Sequence, residues 1–190
     1  MRDTFKGKAR RWFIVGGLLL LMSITSVGYA QVPSFTKEEI DWLTYIREEE
    51  KLARDVYLYL LNMWDSRIFS NISVSEQRHM DAIKTLLDRY GIPDPVVLNP
   101  DGQDVKGVFS NPELQALYTK LIQDGGVSPV EALKVGVFIE LTDVADLTEG
   151  IASTTHKDIK TVYTNLRQGS LNHLDAFCSD LTRFGVTCEP

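Results

Sequence analysis

The sequence predicts an all-α protein in which four long helices form a bundle, with a long crossover between the second and third. Apolar residues recur at alternating spacings of three and four over four long stretches, which places them on one stripe of a helix. Helix-capping signals precede several of these stretches, and glycine, proline or a short polar turn follows them. No run alternates between apolar and polar residues as a half-buried strand does, so strands are not expected.

The first helix is predicted to begin with the capping box at residues 36–39 and to run to about Trp64. Its apolar stripe is interrupted near the middle by Glu50, which occupies a position where a leucine would be expected. The neighbouring Glu48 and Glu49 point in other directions, and we interpret them as part of a solvated acidic face. Glu50 does not fit that interpretation and is a candidate functional residue.

The second helix is predicted from about Ser70 to Tyr90, and its apolar stripe contains Glu76 and His79. Residues three apart on a helix point the same way, so this Glu-x-x-His pair can hold one metal ion. Burying a charge is costly unless the charge is paired or bound to a metal. A buried Glu-x-x-His pair therefore indicates a metal site, and it recurs in di-metal carboxylate bundles.

The crossover covers residues 91–110, which contain three prolines and three glycines and are predicted to be loop. A short helix follows, from Asn111 to about Gln123. The third long helix is predicted from Pro129 to about Glu149. Within that helix, Glu140 interrupts the apolar stripe and Asp143 flanks it one turn later.

The last helical region is predicted from His156 to Phe184, with a kink or break at Gly169. Ser170 and His173 occupy the same relative places in its stripe as the Glu-x-x-His pair of the second helix. All four long helices thus carry polar residues in their apolar stripes, and packing alone does not explain this. The sequence predicts metal ligands at Glu50, Glu76, His79, Glu140 and His173, with Asp143 as a further candidate.

Three stretches of the mature chain, residues 45–57, 75–82 and 169–174, resemble the ferritin-like superfamily, in particular the group known as domain of unknown function 2202. The resemblance covers about residues 36–184. It implies a ferritin-like four-helix bundle with a two-metal centre, usually of iron, although the group has no assigned reaction.

Residue by residue, the resemblance implies that Glu50 and Glu140 are the carboxylates of the first and third helices. It implies that Glu76 bridges two metal ions and that each histidine of the two pairs binds one ion. Tyr57 matches a tyrosine that lies near the centre in ferritins, so it is expected beside the metal ligands.

Ser170 departs from this pattern, because relatives with two Glu-x-x-His motifs have glutamate there. Three outcomes remain open: Asp143 substitutes for the missing carboxylate, water fills its place, or the centre binds only one metal ion. Carboxylate and imidazole donors suit iron, manganese or zinc, and iron is expected from the resemblance.

Residues 1–30 have the features of a secretory signal peptide, with a basic segment, an apolar run at 12–22 and small residues before the cleavage position after Ala30. The Arg10–Arg11 pair also resembles a twin-arginine export signal. The expected product is a periplasmic or secreted domain at 31–190 without a membrane anchor. An uncleaved anchor is the alternative, which the short apolar run disfavours.

The chain has a net charge of −6, and removing a leader with a net charge of +4 leaves −10. An acidic domain without a basic patch disfavours nucleic acid as a partner, and metal ions are the expected partners. Cys178 and Cys188 are the only cysteines and are expected to form a disulfide after export, with two unpaired thiols as the alternative. Their spacing does not suit a metal site.

Three functions remain open from the sequence. The first is an exported metalloprotein with redox activity on iron, oxygen or peroxide, as in a ferroxidase-like oxidoreductase. The second is a metal-binding module without turnover, and the third is a structural bundle whose polar groups hydrogen-bond to one another. A homodimer is compatible with all three.

Overall fold

The structure is a computed structural model and describes residues 35–188. These residues form five α-helices and no multi-residue strand, which confirms the all-helical prediction. The predicted leader and its cleavage position lie outside the described residues. In the part of the chain that the structure covers, no helix is both long and apolar enough to cross a membrane. The helices are α1 (Lys37–Trp64), α2 (Arg67–Tyr90), α3 (Pro112–Gly125), α4 (Pro129–Ser153) and α5 (Lys157–Arg183).

The helix boundaries agree with the sequence prediction within a few residues. Helix α2 begins three residues earlier than expected, because Asp65 adopts a left-handed conformation that ends α1 and allows a two-residue connection. Helix α5 continues without interruption through Gly169, so the expected break at that position is wrong. The reason for this glycine is the close approach of another side chain, which is described with the site below.

Each long helix contacts two other long helices. Helix α1 packs against α2 and α4, and α5 packs against α4 and α2, while α3 lies on α1 and α4. The buried apolar residues form two clusters, one around Leu60 and Phe177 and the other around Leu43 and Leu86. Along α1, Glu50 lies between the residues of the two clusters, so a polar layer separates them.

Helix α1 is buried on every side over residues 46–57. Our interpretation of Glu48 and Glu49 as solvated residues is therefore wrong, because they are only 3% and 4% exposed. The Glu48 carboxylate accepts hydrogen bonds from the backbone N–H groups of Ser110 (2.6 Å) and Asn111 (3.0 Å), just before α3. The crossover thus covers the outer face of α1, where the sequence alone suggested solvent.

A buried ionic network joins α1 to the crossover. The Asp55 carboxylate accepts hydrogen bonds from Lys51 Nζ (2.6 Å), from the Arg54 guanidinium (2.6 Å) and from the backbone N–H of Gly107 (2.9 Å). The side chains of Lys51 and Asp55 are completely inaccessible to solvent. Lys51 Nζ also donates to the carbonyl oxygens of Val105 and Val108, so each charge in the network has several partners.

The sulfur atoms of Cys178 and Cys188 lie at disulfide bonding distance, and their Cα atoms are 5.2 Å apart, within the usual range for a disulfide. The pair connects the last turns of α5 to the segment that follows it. Within that segment, Val186 packs against the apolar cluster around Leu60.

Glu39 connects the start of α1 to the turn between α4 and α5. Its carboxylate accepts hydrogen bonds from the backbone N–H of Thr36 (3.0 Å), the hydroxyl of Thr154 (2.8 Å) and the backbone N–H of Thr155 (3.2 Å). Burial raises the pKa of Glu39, but these hydrogen bonds outweigh burial and hold the pKa below its usual value of 4.5. The stabilisation is therefore present above about pH 4.5 and is lost as the pH falls through the lowered pKa.

We expect Glu39→Gln to lower the free energy of unfolding by about 1 kcal/mol at pH 7 and to have little effect at pH 3. Urea unfolding at a series of pH values measures this difference. Glu38→Gln is the matched control, because Glu38 is the exposed neighbour and accepts none of these hydrogen bonds. A Glu39 variant whose loss of stability is the same at both pH values would contradict the prediction.

Candidate metal centre

All five residues predicted as metal ligands lie together in the polar layer between the two apolar clusters. They form two groups, one of Glu50, Glu76 and His79 and one of Glu76, Glu140 and His173. In each group, one potential ligand atom from every residue lies within 4.8 Å of the others. Glu76 belongs to both groups, so the centre has two parts that share one carboxylate.

The two oxygen atoms of Glu76 face different histidines. Its Oε2 lies 2.7 Å from Nδ1 of His79, and its Oε1 lies 2.8 Å from Nδ1 of His173. His79 Nδ1 is also 3.1 Å from an oxygen of Glu50, and His173 Nδ1 is 3.4 Å from an oxygen of Glu140. Each imidazole therefore lies beside Glu76, which both share, and beside one carboxylate of its own, Glu50 for His79 and Glu140 for His173.

Several of these atoms are buried without a hydrogen-bond partner. They are Oε1 of Glu50, both oxygens of Glu76, Oε2 of Glu140 and Nδ1 of His173. The short distances from Glu76 to the two imidazoles lack hydrogen-bond geometry, which means that these donor atoms are not aimed at one another. An unsatisfied buried polar group costs about 1–3 kcal/mol. Unpaired oxygen and nitrogen donors that lie this close together fit a pair of metal ions.

Comparison with known proteins places the chain in a family. The family model described as "Uncharacterized protein domain (DUF2202)" matches residues 39–190. The chain belongs to this family. It is 52% identical over 155 residues to uncharacterized protein MJ0754 of Methanocaldococcus jannaschii, a match that covers 82% of this chain and 81% of that protein.

The crystal structure of hypothetical protein MJ0754 superposes with a TM-score of 0.78 at 51% identity, covering 83% of this chain and 87% of that one. The crystal structure of a DUF305 fragment from Deinococcus radiodurans gives a TM-score of 0.60 at 14% identity, covering 80% of this chain and 99% of that one. At this low identity, the second likeness concerns the fold alone.

The charges in the centre of this DUF2202 domain are arranged around Glu76. The imidazoles of His173 and His79 outweigh burial and lower the pKa of Glu76 to about 2. Despite their own burial, the facing carboxylates raise the pKa of His79 to about 11 and that of His173 to about 10. Burial raises the pKa of Glu50 well above its ordinary value and that of Glu140 to about 8. A metal cation would displace these protons, so its binding should weaken as the pH falls.

Tyr57 touches the centre, as the sequence resemblance implied. Its hydroxyl donates a 2.6 Å hydrogen bond to Oε1 of Glu140, and the side chain is fully buried in the apolar cluster around Leu60. The bond occupies one oxygen of Glu140 and leaves the other, Oε2, facing His173. Tyr57 therefore positions a candidate ligand.

Ser170 is linked to Asp143 instead of to the ligand groups. Its hydroxyl donates a 2.7 Å hydrogen bond to Oδ2 of Asp143, and both side chains are buried. Asp143 belongs to neither of the two ligand groups, although its other oxygen, Oδ1, has no partner. His173 still has the carboxylates of Glu76 and Glu140 beside it, so its ligand group is complete without a carboxylate at residue 170.

Glu49 is a further polar residue next to the centre, and its place off the apolar stripe of α1 hid it in the sequence. It lies within hydrogen-bonding reach of Asp143 and Asp146 on α4, and Asp146 in turn accepts a 3.0 Å hydrogen bond from Tyr45. The spacing along α4 provides a signal that could have identified the cluster, because Glu140, Asp143 and Asp146 follow one another at intervals of three.

Gly169 allows His79 to occupy its position. A β-carbon at residue 169 would lie 2.7 Å from Nε2 and 2.8 Å from Cε1 of His79, closer than real contacts permit. The backbone of α5 therefore supports one edge of this imidazole, while the other edge faces Glu50 and Glu76. This contact explains a glycine in the middle of an unbroken helix.

We expect Gly169→Ala to displace His79 and to weaken metal binding at its group by more than about 10-fold. The helix itself should tolerate the change, because alanine is favoured over glycine in a helix by about 1 kcal/mol. Titration of the metal-free protein with Co(II), followed by its visible absorbance, measures the loss. In a His79→Ala background the clash is absent, so the same alanine should then have no effect on binding at the other group. Unchanged Co(II) affinity in Gly169→Ala would contradict this account.

Proposed function

We propose that this DUF2202 domain is a ferritin-like four-helix bundle that binds one or two transition-metal ions, with iron as the physiological metal. The observation that carries the proposal is the set of buried, unpartnered donor atoms contributed by Glu50, Glu76, Glu140 and His173. The helix arrangement supports the bundle, because the four long helices contact one another in a closed ring and α3 lies within the crossover from α2 to α4.

Each group of the centre would hold one ion. Glu50 and His79 would bind the first, Glu140 and His173 the second, and Glu76 would contribute one oxygen to each. Three protein donors per ion leave coordination positions for water or a small reactant. Bound iron would supply one-electron chemistry, with Fe(II) oxidised to Fe(III) by oxygen or peroxide.

The surrounding residues hold this donor set in place. Tyr57 fixes the orientation of Glu140 through its hydroxyl, and Gly169 provides the space for the ring of His79. The apolar clusters on either side keep bulk water from the carboxylates, which are at most 1% exposed. A low-polarity surrounding strengthens the attraction between carboxylates and a cation.

We also propose that the protein works outside the cytoplasm. The predicted leader at residues 1–30 supports export, and the disulfide between Cys178 and Cys188 fits an oxidising compartment. Replacing both Arg10 and Arg11 with lysine would show whether export uses the twin-arginine route, because that route requires the pair.

Elemental analysis of natively expressed, untagged protein tests metal binding directly, and the expected result is one or two iron atoms per chain. Stopped-flow mixing of the Fe(II)-loaded protein with oxygen or peroxide then tests redox activity. Glu149→Gln is the control, because Glu149 is exposed on α4 and belongs to neither ligand group. Absence of bound metal, together with unchanged behaviour of a Glu76→Ala/His79→Ala variant, would refute the proposal.

A second candidate function is metal binding without turnover, for sequestration or delivery. The position of Ser170 favours it, because a serine replaces the second bridging carboxylate and its hydroxyl engages Asp143. This candidate predicts tight Fe(II) binding with no acceleration of Fe(II) oxidation over free iron. The stopped-flow experiment therefore separates the two functions.

A further inference from the structure

A surface depression lies between the first turns of α1 and Asp146 of α4. It has a volume of about 590 Å³ and is lined by Lys37, Glu38, Asp41, Trp42, Tyr45 and Asp146. Three of these residues are acidic and one is basic, so the local charge is negative. A negatively charged depression raises the local concentration of cations and speeds their association.

Carboxylates continue inward from the floor of this depression. Asp146 is partly exposed there, and Glu49 lies within its hydrogen-bonding reach at 4% exposure. Glu49 is also within hydrogen-bonding reach of Asp143, which is 2% exposed. Asp143 lies close enough to the ligand groups for its charge to raise the pKa of Glu50. Oε2 of Glu49 and Oδ1 of Asp143 are both buried without a partner. Successive acidic residues thus connect solvent to the centre with decreasing exposure.

The carboxylate ligands themselves are closed to solvent. Glu50, Glu76 and Glu140 are at most 1% exposed, so an ion cannot reach them directly. On the opposite side, between α2 and α5, the side chains of His79 and His173 are 12% exposed, and their rings stack at 5.6 Å beside Gly169. The α1–α4 side is the one that combines a depression with oxygen donors leading inward.

We propose that Asp146, Glu49 and Asp143 form the path along which divalent cations pass from the surface depression to the buried centre. This inference rests on the proposed metal-binding function. Among the residues that the structure describes, these three do not bring three ligand atoms within 4.8 Å of one another, unlike the two histidine-containing groups. Passage with brief contacts fits this looser arrangement better than tight binding does. The hydroxyl of Tyr45, 3.0 Å from Asp146, has to give up its hydrogen bond when an ion passes.

A path residue has a kinetic signature that a resident ligand lacks. Removing its carboxylate slows association and dissociation by the same factor, because both directions cross the same region, and leaves the dissociation constant unchanged. We expect Asp146→Asn and Glu49→Gln each to lower both rates about 10-fold, in keeping with the usual size of electrostatic steering. Asp146 is partly exposed, so its variant should fold even if the buried Glu49 variant does not.

The experiment mixes metal-free protein with Co(II) in a stopped-flow instrument and follows visible absorbance, and release is measured by capture with excess EDTA. Glu149→Gln is the charge-matched control, because Glu149 is exposed on α4 and does not line the depression. Higher salt should slow loading of the parent protein more than loading of Asp146→Asn.

The outcomes distinguish failure of the path from failure of the proposed function. If the parent protein binds no Co(II), the metal-binding function fails and the path fails with it. If the parent binds Co(II) but both variants load as fast as Glu149→Gln, the path alone is overturned. A faster release with a raised dissociation constant would also overturn the path, because it would make Glu49 or Asp146 a resident ligand.

Discussion

Replacing Asp55 with alanine is expected to lower the free energy of unfolding by about 3–5 kcal/mol. The carboxylate of Asp55 accepts hydrogen bonds from Lys51, Arg54 and the backbone of Gly107, and it is completely buried. Without it, Lys51 keeps two carbonyl oxygens and the face of the Phe109 ring as partners, and its ammonium group becomes a buried charge with no counterion in contact. The expected loss is large because the penalty for an uncompensated buried charge is added to the lost attraction.

The chain contains a matched control for this experiment in the same helix. Lys37 and Asp41 have the same residue types and the same spacing as Lys51 and Asp55, but their side chains are 87% and 58% exposed. Asp41→Ala should therefore change stability by less than about 1 kcal/mol. Chemical denaturation of both variants compares the two values directly. Similar losses for Asp41→Ala and Asp55→Ala would show that burial of the network does not determine its energy.

Replacing Glu76 with glutamine is expected to abolish binding at both parts of the centre, with affinity lowered more than about 100-fold. Glu76 is the one residue common to the two ligand groups, and each of its oxygens faces a different histidine. Glutamine has nearly the same shape but no negative charge, so neither ion would retain the shared carboxylate. By contrast, Glu50→Gln and Glu140→Gln should each impair one group and leave the other functional.

Metal content after reconstitution with Fe(II) or Co(II) and removal of excess metal measures this difference in stoichiometry. Circular dichroism of the metal-free variants checks that the helices remain folded, and Glu149→Gln serves as the surface control with the same charge change. If Glu76→Gln retained half of the parent metal content, Glu76 would belong to a single site and the sharing would be disproved.

The grouping of the five predicted ligands could be foreseen from the sequence because each lies in the apolar stripe of a long helix. A stripe position fixes the direction of a side chain toward the interior once the helix packs. Glu50, Glu76 and His79, together with Glu140 and His173, follow this rule and lie in one layer. Tyr57 follows it too, seven residues and two turns after Glu50.

The burial of Glu48 and Lys51 could not be foreseen in the same way. A helix pattern distinguishes an inward face from an outward one, but it does not show whether a loop later covers the outward face. Here residues 105–111 cover it, and this short segment of mixed apolar and polar residues carries no periodic signal. Charged residues on the outward face of α1 therefore hydrogen-bond to residues 105–111 and not to solvent.

Gly169 illustrates a second limit of local pattern reading. Within a single helix, a central glycine indicates a kink, because glycine weakens a helix. The reason for this glycine is the ring of His79 on another helix, 90 residues away in sequence, which leaves no space for a β-carbon. Such a contact becomes visible only when the two helices are placed side by side.

The contacts between the crossover and α1 have a consequence for hydrogen exchange. The amide protons of Gly107, Ser110 and Asn111 belong to a segment without helix or strand, yet they are donated to the buried carboxylates of Asp55 and Glu48. Opening of this loop would leave the buried carboxylates of Asp55 and Glu48 without these hydrogen bonds. Local opening should therefore cost nearly as much free energy as global unfolding. These three loop amides should then exchange with solvent as slowly as the helical amides of residues 46–57.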